Sequence, residues 1–294
     1  MFSWIFDPQA WVLLATLSSL EIILGIDNIV VITILVSRLP AYQRQKARII
    51  GLALAMITRL MLLLTLAWVA QLKTELFTIL GEAISGRDII MLVGGFFLLV
   101  KSIHEITQMF EEQKHAGYAG KVASYAGILI QIALIDIIFS LDSVIVAVGM
   151  AADYVPVMML AIIFAILTMM LAARSIGDFV DAHPSVKMLA LSFLVLIGVA
   201  LLLEGIDIHV DKPFIYISIA FSVVVEFVNM RLKGNRFRIL SYAILILFIL
   251  KFLLGFVGIP VGYEYLFVAV LFTVGVEILN LRLRRYLQVP KGTI

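Results

Sequence analysis

The sequence is poor in the residues that build thiol sites, zinc sites and charged protein surfaces. It contains no cysteine, and only 14% of its 294 residues are charged. The absence of cysteine excludes disulfide bonds, thiol catalysis and thiolate metal sites. All four histidines fall in loops or at the ends of apolar segments, which argues against a histidine-built zinc centre. Phosphate-binding loops, dinucleotide-binding patterns and nucleophile elbows are also missing from any credible context, so we expect neither an enzyme nor a bound cofactor.

Apolar residues are present in large excess and make up 63% of the chain. A transmembrane helix needs about 20 mostly apolar residues. Nine such stretches occur, at residues 10–37, 48–71, 88–104, 123–150, 155–177, 185–205, 213–230, 239–257 and 262–280. We therefore predict an all-α fold, a polytopic bundle of about nine transmembrane helices.

The basic residues predict the orientation of this bundle. With the amino terminus outside, the cytoplasmic loops hold fifteen of the 22 lysines and arginines, whereas the outside loops hold only Lys73, Arg87 and Lys212. This asymmetry satisfies the positive-inside rule at every loop and puts the carboxyl terminus in the cytoplasm. The basic loops are therefore interpreted as topology signals, and we expect no nucleic-acid partner.

Two apolar segments are degenerate copies of each other, and each carries two carboxylates. They are LEIILGIDNIV at 20–30 and IDIIFSLDSVI at 135–145. An acid in the hydrocarbon core is costly to insert and is therefore a functional-site hypothesis by default. Three polar positions match between the segments: Glu21 with Asp136, Asp27 with Asp142, and Asn28 with Ser143. Arg59 and Arg174 match at the same offset of 115 residues.

The repeat predicts the domain organisation. Each unit has three helices, an odd number, so the second unit must cross the membrane upside down, as in many secondary transporters. We predict a first three-helix repeat at 1–106, a cytoplasmic linker at 107–122, an inverted second repeat at 123–210, and a three-helix carboxyl-terminal extension at 211–294. The third helices also correspond, with Lys101 over Glu204.

The carboxyl-terminal extension contains a duplication of its own. FSVVVEFVNMRLK at 221–233 and FTVGVEILNLRLR at 272–284 share a glutamate, Glu226 or Glu277, and an asparagine, Asn229 or Asn280. For these glutamates we predict helix–helix contact rather than transport. Three glycines, Gly94, Gly95 and Gly198, are expected to allow close helix approach.

Four carboxylates in a dry core need compensating charge. A divalent cation supplies it, and carboxylate, amide and hydroxyl oxygens suit Mg²⁺, Ca²⁺ or Mn²⁺. Two other interpretations stay open. The acids could relay protons, or they could pair structurally with Arg59, Lys101, Arg174 and Lys251.

The spacing within each motif leaves a further choice. Glu21 and Asp27 are six residues apart, which on an unbroken helix is about 240° of rotation and about 9 Å of rise. Unwinding at Gly25 and Ser140 would turn both acids of each motif inward. Alternatively, the acids form successive stations along one path.

These motifs resemble a known family. EIILGIDN, DIIFSLDS and the segment AARSIGDFVDAHPSVKMLALSFL at 172–194 occur in the order typical of the TerC family of bacterial integral membrane proteins, over residues 1–235. The resemblance implies an inner-membrane protein that exports Mn²⁺. By motif match, it implies a metal site on Glu21, Asp27, Asn28, Asp136, Asp142 and Ser143. Residues 239–294 lie beyond the family core.

The resulting hypothesis is a secondary transporter with Mn²⁺ as its substrate and the lipid bilayer as its surroundings. Arg59, Lys101 and Arg174 are expected to tune the charge of the empty site. The alternatives are a non-transporting membrane scaffold that aids assembly or metal loading of other membrane proteins, and a proton or Ca²⁺ transporter. The sequence does not predict the oligomeric state.

Overall fold

The structure is a computed structural model that describes residues 6–65, 75–79, 82–114, 124–151, 154–232, 236–256 and 262–288. In these ranges there are nine helices. They are α1 (Pro8–Val36), α2 (Ala41–Leu64), α3 (Gly86–Lys114), α4 (Tyr125–Ala151), α5 (Val155–Ala182), α6 (Pro184–Glu204), α7 (Lys212–Leu232), α8 (Arg236–Phe256) and α9 (Tyr263–Gln288). Each helix overlaps one of the nine predicted apolar stretches.

The helices have the length and apolarity of membrane spans. Among the residues described, six helices are long and apolar enough to cross a bilayer, namely α2, α3, α5, α6, α7 and α9. Their surfaces keep many large apolar side chains exposed, such as Leu171, Phe96 and Phe267. A surface of this kind is stable only against lipid or another apolar face. The structure is therefore that of a polytopic helical membrane protein.

A short β-hairpin between α2 and α3 adds to the predicted all-α fold. Strands β1 (Glu75–Ile79) and β2 (Glu82–Ser85) pair antiparallel, with Glu75 opposite Ser85 and Ile79 opposite Glu82. The helix predicted to reach residue 71 ends at Leu64. The segment ELFTI favours a strand because its Phe, Thr and Ile are β-prone residues.

Local signals start several helices. Asp7 caps α1 by accepting a hydrogen bond from the Gln9 amide at 3.0 Å, and Pro8 occupies the first turn. Asp88 accepts bonds from the Ser85 amide at 2.8 Å and the Ser85 hydroxyl at 2.6 Å, which ties the hairpin to α3.

The helices pack into two compact units that do not follow chain order. One unit contains α1, α2, the hairpin, α3 up to Gly94, α4 and α5; the other contains α3 from Gly95 onward and α6 to α9. The first unit thus combines the leading helices of both predicted repeats. The predicted repeat boundaries describe sequence similarity and remain predictions.

Close helix approach occurs at the expected glycines. In the second unit, a Cβ on Gly95 would lie 2.7 Å from the Gly198 carbonyl oxygen, and one on Gly198 would lie 3.0 Å from the Gly95 oxygen. In the first unit, a Cβ on Gly94 would lie 2.9 Å from the Ile138 side chain. Only residues without a side chain allow α3 and α6 backbones to meet this closely.

Candidate functional site

Both acidic helices are continuous. Helix α1 runs unbroken from Pro8 to Val36 through Gly25, and α4 runs from Tyr125 to Ala151 through Ser140. The two residues have other roles. Gly25 faces the Met169 thioether, which a Cβ would overlap, and the Ser140 hydroxyl donates to the Asp136 carbonyl within its own helix. The structure therefore does not have the helix unwinding that was one of the two alternatives for placing the acids.

One guanidinium joins the first acids of the two motifs. Arg59 on α2 donates through Nη1 to Glu21 Oε2. Its Nη2 and Nε donate to Asp136 Oδ1, at 3.1 and 3.3 Å. The other oxygen of Asp136, Oδ2, accepts from Thr58 Oγ1 at 3.0 Å and has Ser140 Oγ at 3.2 Å. The site is thus assembled from α1, α2 and α4.

This ion-pair group is buried and carries net charge. Glu21, Asp136 and Arg59 are 8%, 4% and 3% exposed. Two carboxylates and one guanidinium sum to a formal charge of −1 when both acids are ionised. Burying unpaired charge is costly, so a proton or a cation at this group would offset that cost.

The helix directions follow from the contacts around this group. Arg59 reaches Glu21, while Gly51, two turns earlier on α2, lies beside Ile32, further along α1. Helices α1 and α2 are therefore antiparallel. Gly51 also lies beside Ile132 and Arg59 beside Asp136, so α2 and α4 are parallel.

The second acid of each motif, Asp27 or Asp142, therefore lies away from the first acids, and the two lie on opposite sides of them along the helix axes. The Asp27 backbone is about 9 Å beyond Glu21 toward the carboxyl end of α1, and the Asp142 backbone is about 9 Å beyond Asp136 toward the carboxyl end of α4. Since α1 and α4 are antiparallel, these displacements point in opposite directions. The side chains of Asp27, Asp142 and Ser143 lie outside the described part of the structure.

Asn28 of the first motif and Asp136 of the second line one small cavity. Its walls are otherwise apolar, from Val31, Ile32, Ile132 and Ile135. Its volume is about 10 Å³, close to the smallest space that holds a single water molecule. The surface that these residues present to the cavity is apolar, so it offers no polar partner to a water or an ion.

Of the six predicted metal ligands, Glu21 and Asp136 are joined through Arg59, and Asn28 lines a small cavity beside Asp136. Among the side chains described, no three His, Cys, Asp or Glu residues lie close enough to hold a metal ion. The predicted site includes Asp27, Asp142 and Ser143, whose side chains are not described, and it remains a prediction.

The three predicted charge-tuning residues have different surroundings. Arg59 contacts the motif acids directly. Lys101 pairs with Glu105 on the next turn of α3, at 3.3 Å. Although Arg174 matches Arg59 in the repeat, its side chain is 78% exposed and lies 3.8 Å from Asp178.

A buried arginine that sequence reasoning missed lies at the amino-terminal end of α2. Arg48 donates to Asp181 at 2.7 Å and to Asp178 at 3.2 Å, and these acids come from the end of α5. Gly177 lies against the guanidinium, where a Cβ would overlap it. The sequence interpretation treated Arg48 only as a topology signal. The signal that could have found it is the segment RSIGDFVD, which supplies both acids and the glycine.

Comparison with known proteins gives a family match over most of the chain. The model of the integral membrane protein TerC family matches residues 6–239. A UPF0053 protein of Haemophilus influenzae is 57% identical over 234 residues, covering 79% of this chain and 98% of that protein. The UPF0053 inner membrane protein YgdQ of Escherichia coli is 53% identical over 236 residues, 80% of this chain and 99% of that protein.

A longer relative matches over a similar region. The UPF0053 inner membrane protein YoaE of Escherichia coli is 45% identical over 233 residues, which is 79% of this chain and 45% of that protein. No solved structure matches this chain significantly. The family match covers both acidic motifs, Arg59 and the RSIGDF segment, and it ends before α9. The chain therefore belongs to the TerC family of integral membrane proteins.

Proposed function

We propose that this chain is a secondary transporter that exports Mn²⁺ from the cytoplasm across the bacterial inner membrane, and that it is not an enzyme. The observation that carries the proposal is the single guanidinium of Arg59 that binds Glu21 and Asp136, one acid from each motif. The printed names of two relatives, YgdQ and YoaE, describe inner membrane proteins. In the proposal, all nine helices span the membrane, with the amino terminus outside and the carboxyl terminus in the cytoplasm.

Arg59 acts in this proposal as an internal substitute for the substrate ion. It compensates the two acids when no metal is bound, at the level where α1, α2 and α4 meet. An arriving divalent cation competes with the guanidinium for the same carboxylate oxygens. The four motif acids carry more negative charge than Arg59 and one divalent ion carry positive charge. Metal binding therefore leaves no net positive charge at the site.

Because the helices are continuous, the acids lie one after another along the proposed transport path. With the amino terminus outside, α1 runs inward and α4 runs outward. Asp27 then lies toward the cytoplasm, Glu21 and Asp136 lie at the centre, and Asp142 lies toward the outside, with steps of about 9 Å. Asn28 and Ser143 contribute neutral oxygens, which suit Mn²⁺ as a hard cation.

The packing supports an inverted repeat. In the repeat, α1 corresponds to α4 and α2 to α5, so a pair of α1 with α5 is equivalent to a pair of α4 with α2. Both pairs are extensively packed in the first unit. Transporters built from inverted repeats expose a central site to either side by rocking one repeat or bundle against the other.

Flux measurements on purified protein in sealed vesicles test the proposal. We expect Mn²⁺ flux that is lost in Asp27→Asn and in Asp142→Asn, since these isosteric changes remove the ligand charge and keep the shape. Asp207→Asn is the matched control, because Asp207 is exposed in a loop, and its positive φ of 61° is one that asparagine also tolerates.

The outcome also separates the proposal from its alternatives. Flux that is absent, or that survives both changes, would exclude the transport mechanism and leave a membrane scaffold as the better explanation. Flux of Ca²⁺ or protons without Mn²⁺ in a competition assay would keep a transporter but change its substrate.

A further inference from the structure

The carboxyl-terminal helices contain a second buried group of charges, which we call the C-terminal polar cluster. It consists of Glu226 and Asn229 on α7, Arg236 at the start of α8, and Glu277 and Asn280 on α9. None of the five residues is more than 5% exposed. The cluster lies within the second unit and includes none of the transport residues proposed above.

Arg236 is shared between the two glutamates. Its Nη1 donates to Glu277 Oε2 at 3.0 Å and to Glu226 Oε2 at 3.2 Å, and its Nη2 donates to Glu226 Oε1 at 3.1 Å. Each asparagine donates to the glutamate of the opposite helix: Asn229 Nδ2 to Glu277 Oε1 at 2.5 Å, and Asn280 Nδ2 to Glu226 Oε2 at 3.3 Å. The predicted helix–helix contact of the duplicated segments is confirmed, and the two copies contact each other.

The duplication explains this geometry. Ser222, Glu226 and Asn229 correspond to Thr273, Glu277 and Asn280 at one constant spacing of 51 residues. Spacings of four and three residues place each set on one helix face. The Ser222 and Thr273 hydroxyls are 2.5 Å apart, so the two faces meet as a ladder of like residues.

The charge of the cluster is not balanced by its own residues. Two carboxylates share one guanidinium, which leaves a formal charge of −1 when both acids are ionised. A purely structural clamp needs only one acid for one arginine. A second ionised glutamate inside a membrane protein is costly unless a positive charge accompanies it.

Two buried oxygens of the cluster point independently to a ligand, and among the described residues the Arg236 Nε–H is also buried without an acceptor. Asn229 Oδ1 and Asn280 Oδ1 are buried and accept no hydrogen bond from any part of the chain that the structure describes. Each belongs to a carboxamide whose Nδ2 contacts a glutamate, so each oxygen is held at the cluster. Buried acceptors without a partner are rare and need an explanation.

We propose that the C-terminal polar cluster binds one monovalent cation, either a proton or an alkali ion of sodium size. A single positive charge neutralises the cluster, whereas a divalent ion would reverse its sign. An alkali ion would be held by carboxylate and carboxamide oxygens. A protonated glutamate would instead donate a hydrogen bond to a carboxamide oxygen that has no other partner in the described residues.

The remaining ionisable groups on the helices that pack here do not supply this charge. Those described on α6 to α9 are Lys187, Glu204, Tyr216, Arg231, Arg238, Tyr242, Lys251, Tyr263, Glu264, Tyr265, Arg282 and Arg284. In the described ranges, the hydrogen bonds and ion pairs of the five cluster residues are confined to the cluster itself. Glu277 and Asn280 lie beyond residue 239, where the family match ends, so α9 completes a site outside the family core.

The test uses the full chain in lipid nanodiscs. One arm measures binding of radioactive Na⁺ at constant pH, with an organic cation replacing sodium. The other arm works without alkali ions and uses infrared difference spectroscopy to detect a protonated carboxyl group near neutral pH. We expect the cluster to contribute one sodium ion or one protonated carboxyl per chain, counted apart from any signal of the Glu21–Arg59–Asp136 group.

Matched variants assign the signal to the cluster. Glu277→Gln removes one charge, keeps the shape and makes the cluster neutral, so we expect it to lose the sodium or the carboxyl signal. Glu226→Gln does the same from the other helix and serves if the first variant does not fold. Glu264→Gln is the control, since Glu264 is an exposed residue on the same helix α9, and it should retain the wild-type signal.

The outcomes decide the proposal without reference to Mn²⁺ flux. A wild-type chain with neither sodium binding nor a protonated carboxyl would overturn it. A signal that both glutamine variants leave undiminished, or that Glu264→Gln reduces equally, would also overturn it, because the ligand would then lie elsewhere.

Discussion

Removal of Arg59 tests whether the two acidic motifs are held together by charge. Arg59→Gln leaves Glu21 and Asp136 buried with no basic partner in the described residues. Breaking a buried ion pair by removing one partner costs about 3–5 kcal/mol, because an uncompensated charge stays behind. At roughly 2–4 °C per kcal/mol, the apparent unfolding midpoint should fall by about 6–20 °C. The assay is thermal unfolding of purified protein in detergent.

A charge series separates electrostatics from lost packing. The formal charge of the Glu21–Arg59–Asp136 group is −1 in the wild type, −2 in Arg59→Gln, 0 in Glu21→Gln, and −1 in the double variant. If charge is the cause, the double variant should recover a large part of the stability that Arg59→Gln loses. The coupling between the two sites is then measured directly by the double-mutant cycle.

Arg174→Gln is the matched control for this series. Arg174 is the repeat counterpart of Arg59, yet its side chain is 78% exposed. Surface substitutions usually change stability by no more than about 0.5 kcal/mol. The reasoning is refuted if Arg59→Gln and Arg174→Gln have equal midpoints, or if the double variant is as unstable as Arg59→Gln alone.

Two further predictions concern packing and pH. Gly95→Ala should lower the unfolding midpoint in the same assay by the equivalent of about 1–3 kcal/mol, because its Cβ would lie 2.7 Å from the Gly198 carbonyl oxygen. Gly275→Ala has no atom within 4 Å of the new Cβ and should leave the midpoint nearly unchanged; equal losses in both variants would contradict the close contact of α3 with α6. Acidifying the cytoplasmic-side solution by about two pH units should slow Mn²⁺ loading in vesicle flux assays, since protonated carboxylates do not bind metal. A loading rate independent of pH on that side would argue against carboxylates as the entry ligands.

Sequence reasoning was most successful where the bilayer restricts the options. The chain is 63% hydrophobic and has nine long apolar stretches, and in a membrane such stretches form all their backbone hydrogen bonds internally as helices. Nine helices occur at these stretches within the described ranges. The β-hairpin at Glu75–Ile79 and Glu82–Ser85 was missed because it is short and lies between two apolar stretches.

The site was predicted in part for a similar reason. The cost of a buried charge identified Glu21, Asp136 and Arg59 as exceptional residues, and these three meet in the structure. The repeat match gave Arg174 the same predicted charge-tuning role as Arg59, although Arg59 is buried and Arg174 is exposed. Arg48 was missed because a basic residue near a helix end is indistinguishable from a topology signal until its partners on α5 are known.

The sequence by itself therefore determined the class of protein, the segments that form helices and the residues whose charge needs a partner. These depend on composition and on the energetics of single groups in a membrane, which can be evaluated residue by residue. Only the tertiary structure decided which charges share a partner, because pairing depends on helix contacts between residues far apart in the chain. It left α1 and α4 continuous, joined Glu21 and Asp136 through Arg59, and brought the duplicated glutamates Glu226 and Glu277 onto one arginine, Arg236.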